Sequence, residues 1–164
     1  MIKIRRATQD DAKAIATINV TTWKQAYKGL LPDNILAKRS VTEERIEKNK
    51  QAMQDKDKIY LVGEYDNNVV GFLIGGKPRD DFPFEYEIIS FYVLPQYQKQ
   101  GIGQALFDEF KKIINNSSFY LYVLEKNIRG ISFYEKNGGK FEPVYTKPIP
   151  LENVDKKELL YSFK

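Results

Sequence analysis

Two glycines stand at a spacing that can hold a phosphate. Leu94-Pro95-Gln96-Tyr97-Gln98-Lys99-Gln100-Gly101-Ile102-Gly103 leads from a strongly apolar stretch into an amphipathic one. A helix opening at these glycines has unpaired backbone N–H groups and a partial positive charge at its first turn. Residues without side chains let an anion come close to those donors. Three such donors between Gln98 and Gly103 can grip a diphosphate without a metal. The same glycines also suit a tight turn that binds nothing, so the pair alone leaves both readings open. Two other phosphate loops fit poorly. A Walker loop ends in Gly-Lys-Ser/Thr, whereas Gly103 is followed by Gln104-Ala105. A dinucleotide fingerprint puts its glycines directly after the strand, and here Pro95 to Gln100 intervene, with Leu106 where a third glycine belongs.

A second group of residues lies downstream, in Val123-Leu124-Glu125-Lys126-Asn127-Ile128-Arg129-Gly130-Ile131-Ser132-Phe133-Tyr134-Glu135-Lys136-Asn137-Gly138-Gly139. Asn127 is of the type that caps a helix. Tyr134 follows seven residues later, and two turns return it to the same side. The cap side chain and the phenol can therefore line one cleft. In a chain with 11 tyrosines, Tyr134 also suits a partly buried core position. The chain has no histidine and no cysteine. Thiol nucleophiles, disulfides and the commonest metal ligands are excluded, and no metal is expected. Acid–base work falls to carboxylates, tyrosines or lysines. Glu85 and Glu87 are two apart at the start of an apolar strand and should share a face that Ile89 and Phe91 continue. A carboxylate there can take a proton through a water. Either residue equally suits a solvated strand edge, Glu85 more so.

The elements that must position these groups are legible in the pattern. Ile2-Lys3-Ile4-Arg5 alternates as a strand. Thr8 and Asp11 form a capping-box pattern before a helix to about Tyr27, with Ile15, Ile18 and Trp23 among its buried positions. Gly29 and Pro32 end it, a second helix starts near Pro32-Asp33, and a third runs from Thr42-Glu43-Glu44 to about Met53. Ile59 to Val62 and Val69 to Ile74, joined through Asp66-Asn67-Asn68, predict an antiparallel hairpin. Tyr86 to Leu94 is the strongest strand. Gly101 to Asn115 is an amphipathic helix with Ile102, Ala105, Leu106, Phe110, Ile113 and Ile114 as its apolar stripe. Phe119 to Leu124 is a strand, Asn127 to Asn137 a shorter helix, and Lys140 to Tyr145 and Glu158 to Phe163 complete the sheet. The order predicts an α/β (α+β) sheet with partly parallel pairing.

These two stretches together resemble the GNAT superfamily of N-acetyltransferases. Gln98-Lys99-Gln100-Gly101-Ile102-Gly103 fits that family's Gln/Arg-x-x-Gly-x-Gly/Ala loop, and Phe91-Tyr92-Val93-Leu94-Pro95 resembles its lead-in strand. Asn127 to Gly138 is similar to its Asn-x-x-Ala-x-x-Phe-Tyr-Glu-Lys-x-Gly motif, with Gly130 where alanine is common. Arg5, Asp10-Asp11, Trp23, Tyr27 and Leu31-Pro32-Asp33 look like a bacterial subgroup. The resemblance implies a mixed, mostly antiparallel sheet with one parallel, splayed strand pair, flanked by helices. It implies acetyl-CoA as co-substrate. The amides of Gln98, Lys99, Gln100, Gly101, Ile102 and Gly103 would hold its diphosphate. The backbone of Phe91, Tyr92 and Val93 would pair with the pantetheine arm like an added strand. Asn127 would touch that arm, and Tyr134 would lie near the sulfur as proton donor to the leaving thiolate. A backbone N–H of Phe91 or Tyr92 would polarise the acetyl carbonyl. Glu87 is the expected base. Trp23, Tyr27, Asp80, Asp81, Phe82 and Phe84 are candidates for the acceptor pocket.

At 164 residues the chain suits a single domain spanning 1–164. The net charge of +4 and a pI near 9.0 suit a solvated surface or an anionic ligand. Lysines and arginines are scattered among acids, as in Arg79-Asp80-Asp81, which argues against nucleic acid as partner. No run approaches the ~20 apolar residues that span a bilayer, and the N-terminus does not read as a signal peptide, so a cytoplasmic protein without a membrane partner is expected. The expected activity is acetyl transfer to a primary amine of a small molecule or peptide. The alternative is a non-catalytic acetyl-CoA sensor. A homodimer paired through Lys157 to Lys164 is an expectation by analogy with the family.

Overall fold

The computed structural model describes residues 1–151 and 154–164. The chain begins with strand β1 (Ile2–Arg6), which alternates as its sequence does, and then turns into helix α1 (Ala12–Tyr27). Asp11 anchors this turn. Its carboxylate accepts from the Thr8 N–H at 2.8 Å and from the Arg5 guanidinium at 2.7 and 2.9 Å. Glu64 takes the remaining side of Arg5 at 2.7 Å, so β1, the turn and the next strand share one ionic knot. Helices α2 (Asp33–Lys38) and α3 (Glu43–Ala52) follow, α3 capped by the Thr42 side chain.

Strands β2 (Lys58–Tyr65) and β3 (Asn68–Gly76) form the hairpin. Asp66 and Asn67 both take positive φ, at 47° and 67°, as a two-residue turn matching the strand twist requires. Strand β4 (Tyr86–Val93), helix α4 (Ile102–Ile113), strand β5 (Phe119–Leu124) and helix α5 (Ile128–Lys136) come next. Two-residue strands β6 (Lys140–Phe141) and β7 (Lys147–Pro148) precede β8 (Lys157–Phe163). The sheet order is β1-β2-β3-β4-β5-β8-β6, with β7 also paired to β8. Every pairing is antiparallel except β4 with β5. The expected mixed, mostly antiparallel sheet with one parallel pair is therefore the fold.

Helices cover both faces. α1 and α3 pack together through Ala12, Ala16 and Ile46, and α1 lays Ile15 and Ile18 on Tyr60, Val62 and Phe72. On the other face, α4 buries Ile102, Leu106, Phe107, Phe110 and Ile114. Phe107, which the expected stripe leaves out, belongs to it. α4 lies unusually close to the sheet because glycines lie beneath it. A Cβ at Gly63 would stand 2.8 Å from Ile102, and one at Gly75 would stand 2.4 Å from the Phe110 ring. This close seat fixes where the helix N-terminus points.

One expected strand is not continuous. Residues 140–145 form the short β6 and then a 3-10 turn over Pro143–Tyr145. Proline at 143 has no N–H for a ladder. Among the described residues, β8 is paired on both sides. β5 occupies one edge, while β6, the Glu142 N–H and β7 occupy the other.

Candidate active site

β4 and β5 pair over only three positions, Tyr86 with Phe119, Glu87 with Tyr120 and Ile88 with Leu121. Beyond Ile88 they separate, and a cleft of about 130 Å³ opens between them. Ile89 to Tyr92 form one wall and Tyr122 to Leu124 the other, with Trp23, Tyr27, Asn127, Tyr134 and Glu158 completing it.

The separation begins at a bulge. Ile74 pairs with Ser90 and Gly75 with Ile88, so Ile89 is an extra residue in β4. A bulge bends its strand and inverts the side-chain alternation beyond it. Ile88, Phe91 and Val93 accordingly pack on the α4 side. Glu87 lies on the opposite face, so the expected common face of Glu85, Glu87, Ile89 and Phe91 does not exist.

The backbone beyond the bulge faces the cleft. Leu94 donates its N–H to Val70 on β3 at 2.8 Å. Alternation then turns the Tyr92 N–H towards β3 and the N–H groups of Phe91 and Val93 towards the cleft. The Val93 carbonyl confirms this orientation, since it accepts from Gln98 Nε2 at 2.9 Å on the side away from β3. Gln98 thus spends its side chain on tying the loop to β4. Gln100 braces the loop within itself, donating to the Gln96 carbonyl at 3.0 Å.

That loop sets the first turn of α4 against β4, where Gly103 lies beside Phe91 and Val93. Lys99 has φ 61° and Gly101 φ 92°, an alternation that turns successive N–H groups into a concavity. The Gln98 N–H donates to the Pro95 carbonyl, and the Ala105 N–H donates to the Gly101 carbonyl. Among the described residues, the amides from Lys99 to Gln104 have no acceptor. Gly103 stands clear, with the nearest atoms to a Cβ there 3.8 and 3.9 Å away. Ile102 is fully buried, so only its amide faces the loop. The arrangement fits a diphosphate followed by an extended arm along β4.

Asn127 caps α5, its Oδ1 accepting from the Gly130 N–H at 2.9 Å. Gly130 makes room for it, since a Cβ there would lie 2.6 Å from Asn127 Nδ2. The cap places Tyr134 against Phe133, Phe107 and Phe91. Tyr134 is 8% exposed and reaches the cleft. Burial first, and the neighbouring Tyr92 second, push its phenol well above the ordinary value, so at neutral pH it holds its proton.

Glu87 is 1% exposed and is not among the cleft's lining residues. Its carboxylate accepts from the Arg79 backbone N–H at 3.0 Å and from the Arg79 guanidinium at 2.6 to 3.2 Å. A carboxylate held this way fixes the loop before β4 and has no lone pair directed at a substrate. Asp80, Phe82 and Phe84 also leave the expected pocket. Asp80 accepts from the Tyr120 hydroxyl at 3.1 Å, and the two phenylalanines pack on Tyr120 and Tyr145. Trp23 and Tyr27 are in place, 4.9 Å apart between ring centroids.

The carboxylate that the cleft does contain is Glu158, at the start of β8 opposite Leu124. Lys147 Nζ lies 3.7 Å from it, beyond hydrogen-bond length. Burial raises the Tyr27 phenol, and the Glu158 charge raises it further. Tyr122 is pushed to about 12 by burial, then by Asp80 and Glu158. Among the described residues, no three Asp or Glu side chains gather as a metal site would need.

Comparison with known proteins agrees with this geometry. The profile of the acetyltransferase (GNAT) family matches residues 20–139. A spermidine N(1)-acetyltransferase of Thermoplasma acidophilum is 27% identical over 154 residues, covering 86% of this chain and 89% of the relative. The uncharacterized N-acetyltransferase YuaI of Bacillus subtilis is 28% identical over 139 residues, covering 82% and 78%. In fold, the chain is similar to the PaiA N-acetyltransferase of T. acidophilum in complex with coenzyme A, with a TM-score of 0.75, 22% identity and coverage of 100% and 99%. It is also similar to the putative acetyltransferase yncA of Salmonella typhimurium with its cofactor acetyl-CoA, at a TM-score of 0.73, 19% identity and coverage of 99% and 93%. The chain belongs to the acetyltransferase (GNAT) family.

Proposed function

We propose that residues 1–164 act as one N-acetyltransferase domain that moves the acetyl group of acetyl-CoA to a primary amine of a small molecule or peptide. One observation carries this reading: the amides of Lys99 to Gln104, which have no acceptor among the described residues, follow directly on β4, and Gly103 sits against Phe91 of the cleft wall. Acetyl-CoA, when bound, supplies an activated acyl group as a thioester.

The chain's residues then have separable tasks. The amides from Lys99 to Gly103 hold the diphosphate, with the Gln98 and Gln100 side chains bracing the loop. The Val93 N–H pairs with the pantetheine arm. Between Phe91 and Tyr92, the register favours the Phe91 N–H as donor to the acetyl oxygen, because the Tyr92 N–H is turned to β3. Tyr92 contributes its ring to the cleft wall. Asn127 holds α5 and so positions Tyr134.

An alkyl amine has a pKa near ~10.4 and must lose a proton to attack. Glu158 is the carboxylate placed to take that proton, and Glu87 is not proposed for it. The neutral amine forms the new C–N bond at the carbonyl carbon. As that adduct collapses, the C–S bond breaks and Tyr134 gives its proton to the departing sulfur. The phenolate is reprotonated by the proton that the acylated nitrogen sheds. A thiol-release assay with acetyl-CoA and a panel of amines tests this reading. Polyamines belong in the panel, given the relative named for spermidine. Release with some amine supports transfer. CoA binding without release on any amine favours a sensor instead.

A further inference from the structure

A primary amine of the chain itself already stands beside the proposed base. Lys147 on β7 lies directly opposite Glu158 on β8, and its Nζ is 3.7 Å from Glu158 Oε2. The same ammonium sits over the Tyr122 ring, 3.8 Å from the centroid. An aromatic face and a carboxylate each attract a cation. Glu158 and Tyr122 both line the β4–β5 cleft. The two groups that hold the ammonium are therefore walls of the cleft in which acetyl transfer is proposed.

The backbone around Lys147 is tied to the same walls. The Tyr122 hydroxyl donates to the carbonyl of Tyr145, two residues before Lys147, at 3.3 Å. Ile149, two residues after it, is buried in one apolar cluster with Tyr27, Trp23 and Leu124, which also line the cleft. The Lys147 side chain itself is 42% exposed and carries its amine on a flexible four-carbon stem. A fixed backbone and a movable amine are what an acceptor in the same chain requires.

We propose that the domain acetylates itself at Lys147, whose Nζ accepts the acetyl group of acetyl-CoA bound to the same chain. The inference rests on the acetyl-transfer reading. The amine turns from the Tyr122 face to the acetyl carbon by rotation about its own side-chain bonds, and β7 stays in place. Glu158 takes a proton from the ammonium, and the neutral Nζ forms a C–N bond at the carbonyl carbon. As the adduct collapses, the C–S bond breaks and Tyr134 gives its proton to the sulfur. The proton shed by the acylated nitrogen restores the phenol. The products are Nε-acetyl-lysine and free CoA thiol. A tethered amine needs no bimolecular encounter, so the rate constant should not depend on protein concentration.

The test is to incubate the whole chain with acetyl-CoA and no added amine, and to follow acetyl-lysine by intact mass and peptide mapping over a range of protein concentrations. Lys48 on α3 is the internal control. Its Nζ lies 2.9 Å from a Glu44 carboxylate oxygen, but neither residue lines the cleft. Lys147 should be acetylated faster than Lys48 by on the order of 100-fold, with a rate constant that is the same at every protein concentration. Glu158→Gln and Tyr134→Phe should each slow it by roughly 10- to 100-fold. Lys147→Arg should remove the modification and leave CoA affinity unchanged, which also shows that the variant folds.

Equal acetylation of Lys147 and Lys48, a rate constant that climbs with protein concentration, or a rate unaltered in Glu158→Gln and Tyr134→Phe would overturn the proposal. The panel of external amines, run alongside, separates it from the reading on which it rests. Thiol release with an external amine while Lys147 stays unmodified removes self-acetylation and leaves the transfer reading standing. Acetyl at Lys147 without release on any external amine supports self-acetylation. No release and no acetyl-lysine removes both.

Discussion

Helix α5 begins at Asn127 in the cleft and helix α4 begins against β4 beside Phe91, and they treat their first N–H groups differently. α5 starts at an asparagine whose Oδ1 takes up the Gly130 amide. α4 starts at a glycine with φ 92°, after Lys99 in the same left-handed region, and its first amides have no acceptor among the described residues. α5 supplies its own acceptor to its first turn. α4 offers a run of amides that a ligand bringing negative charge would complete. The contrast separates a residue that stabilises from a loop that waits for a ligand, although Asn127 and Gly101 to Gly103 both looked like binding residues in the sequence.

That comparison can be broken in graded steps. The largest effect belongs to Gly103→Asp. The site of its Cβ is clear, so the fold should tolerate it, but a carboxylate would occupy the amides' concavity. CoA affinity should fall on the order of 100-fold or more by calorimetry, with Tm little changed. Retained affinity would mean the diphosphate does not lie there.

Tyr134→Phe comes next. The ring still packs on Phe107 and Phe133, so CoA binding should persist while kcat falls roughly 10- to 100-fold. Because the folded-state phenol is raised, the native state holds its proton more tightly than the unfolded chain. Stability from this group is therefore present below the ordinary phenol value of ~10 and is lost as pH rises above it. Activity attributable to this donor should likewise persist through neutral pH and decline only in the alkaline range. A kcat equal to wild type would remove Tyr134 from proton transfer.

The two carboxylates make a paired test. Glu158→Gln should lower kcat and alter the acid limb of the pH–rate profile. Glu87→Gln should leave the shape of that profile intact and lower Tm, because it weakens the hold on Arg79. The reverse pattern would restore Glu87 as the base.

The smallest effect is expected at α5. Asn127→Ala should cost about 1 kcal/mol, a Tm loss of a few degrees, with CoA affinity changed far less than by Gly103→Asp. Asn127→Asp, which can still cap, should recover most of it. A collapse of CoA affinity in the alanine variant would show that Asn127 serves the ligand as well as the helix.

What the sequence revealed and concealed follows from which interactions are local. The loop from Gln98 to Gly103, the hairpin turn at Asp66-Asn67 and the Thr42 and Asn127 caps were legible, because each is settled by a few adjacent residues. The bulge at Ile89 was not, because it exists only through pairing with Ile74 and Gly75. Missing it put Glu87 on the wrong face. Glu158 was missed because its approach to Leu124 depends on β8 returning beside β5. Its one clue was a lone acid leading an otherwise apolar strand.

Amide hydrogen exchange with and without CoA tests the central claim most directly. CoA should slow exchange strongly at residues 99–104, and at Phe91 and Val93, while the already capped Gly130 changes little. Unchanged exchange across 99–104 at saturating CoA would contradict the account, because the helix that lacks partners would then not be the one that grips the ligand.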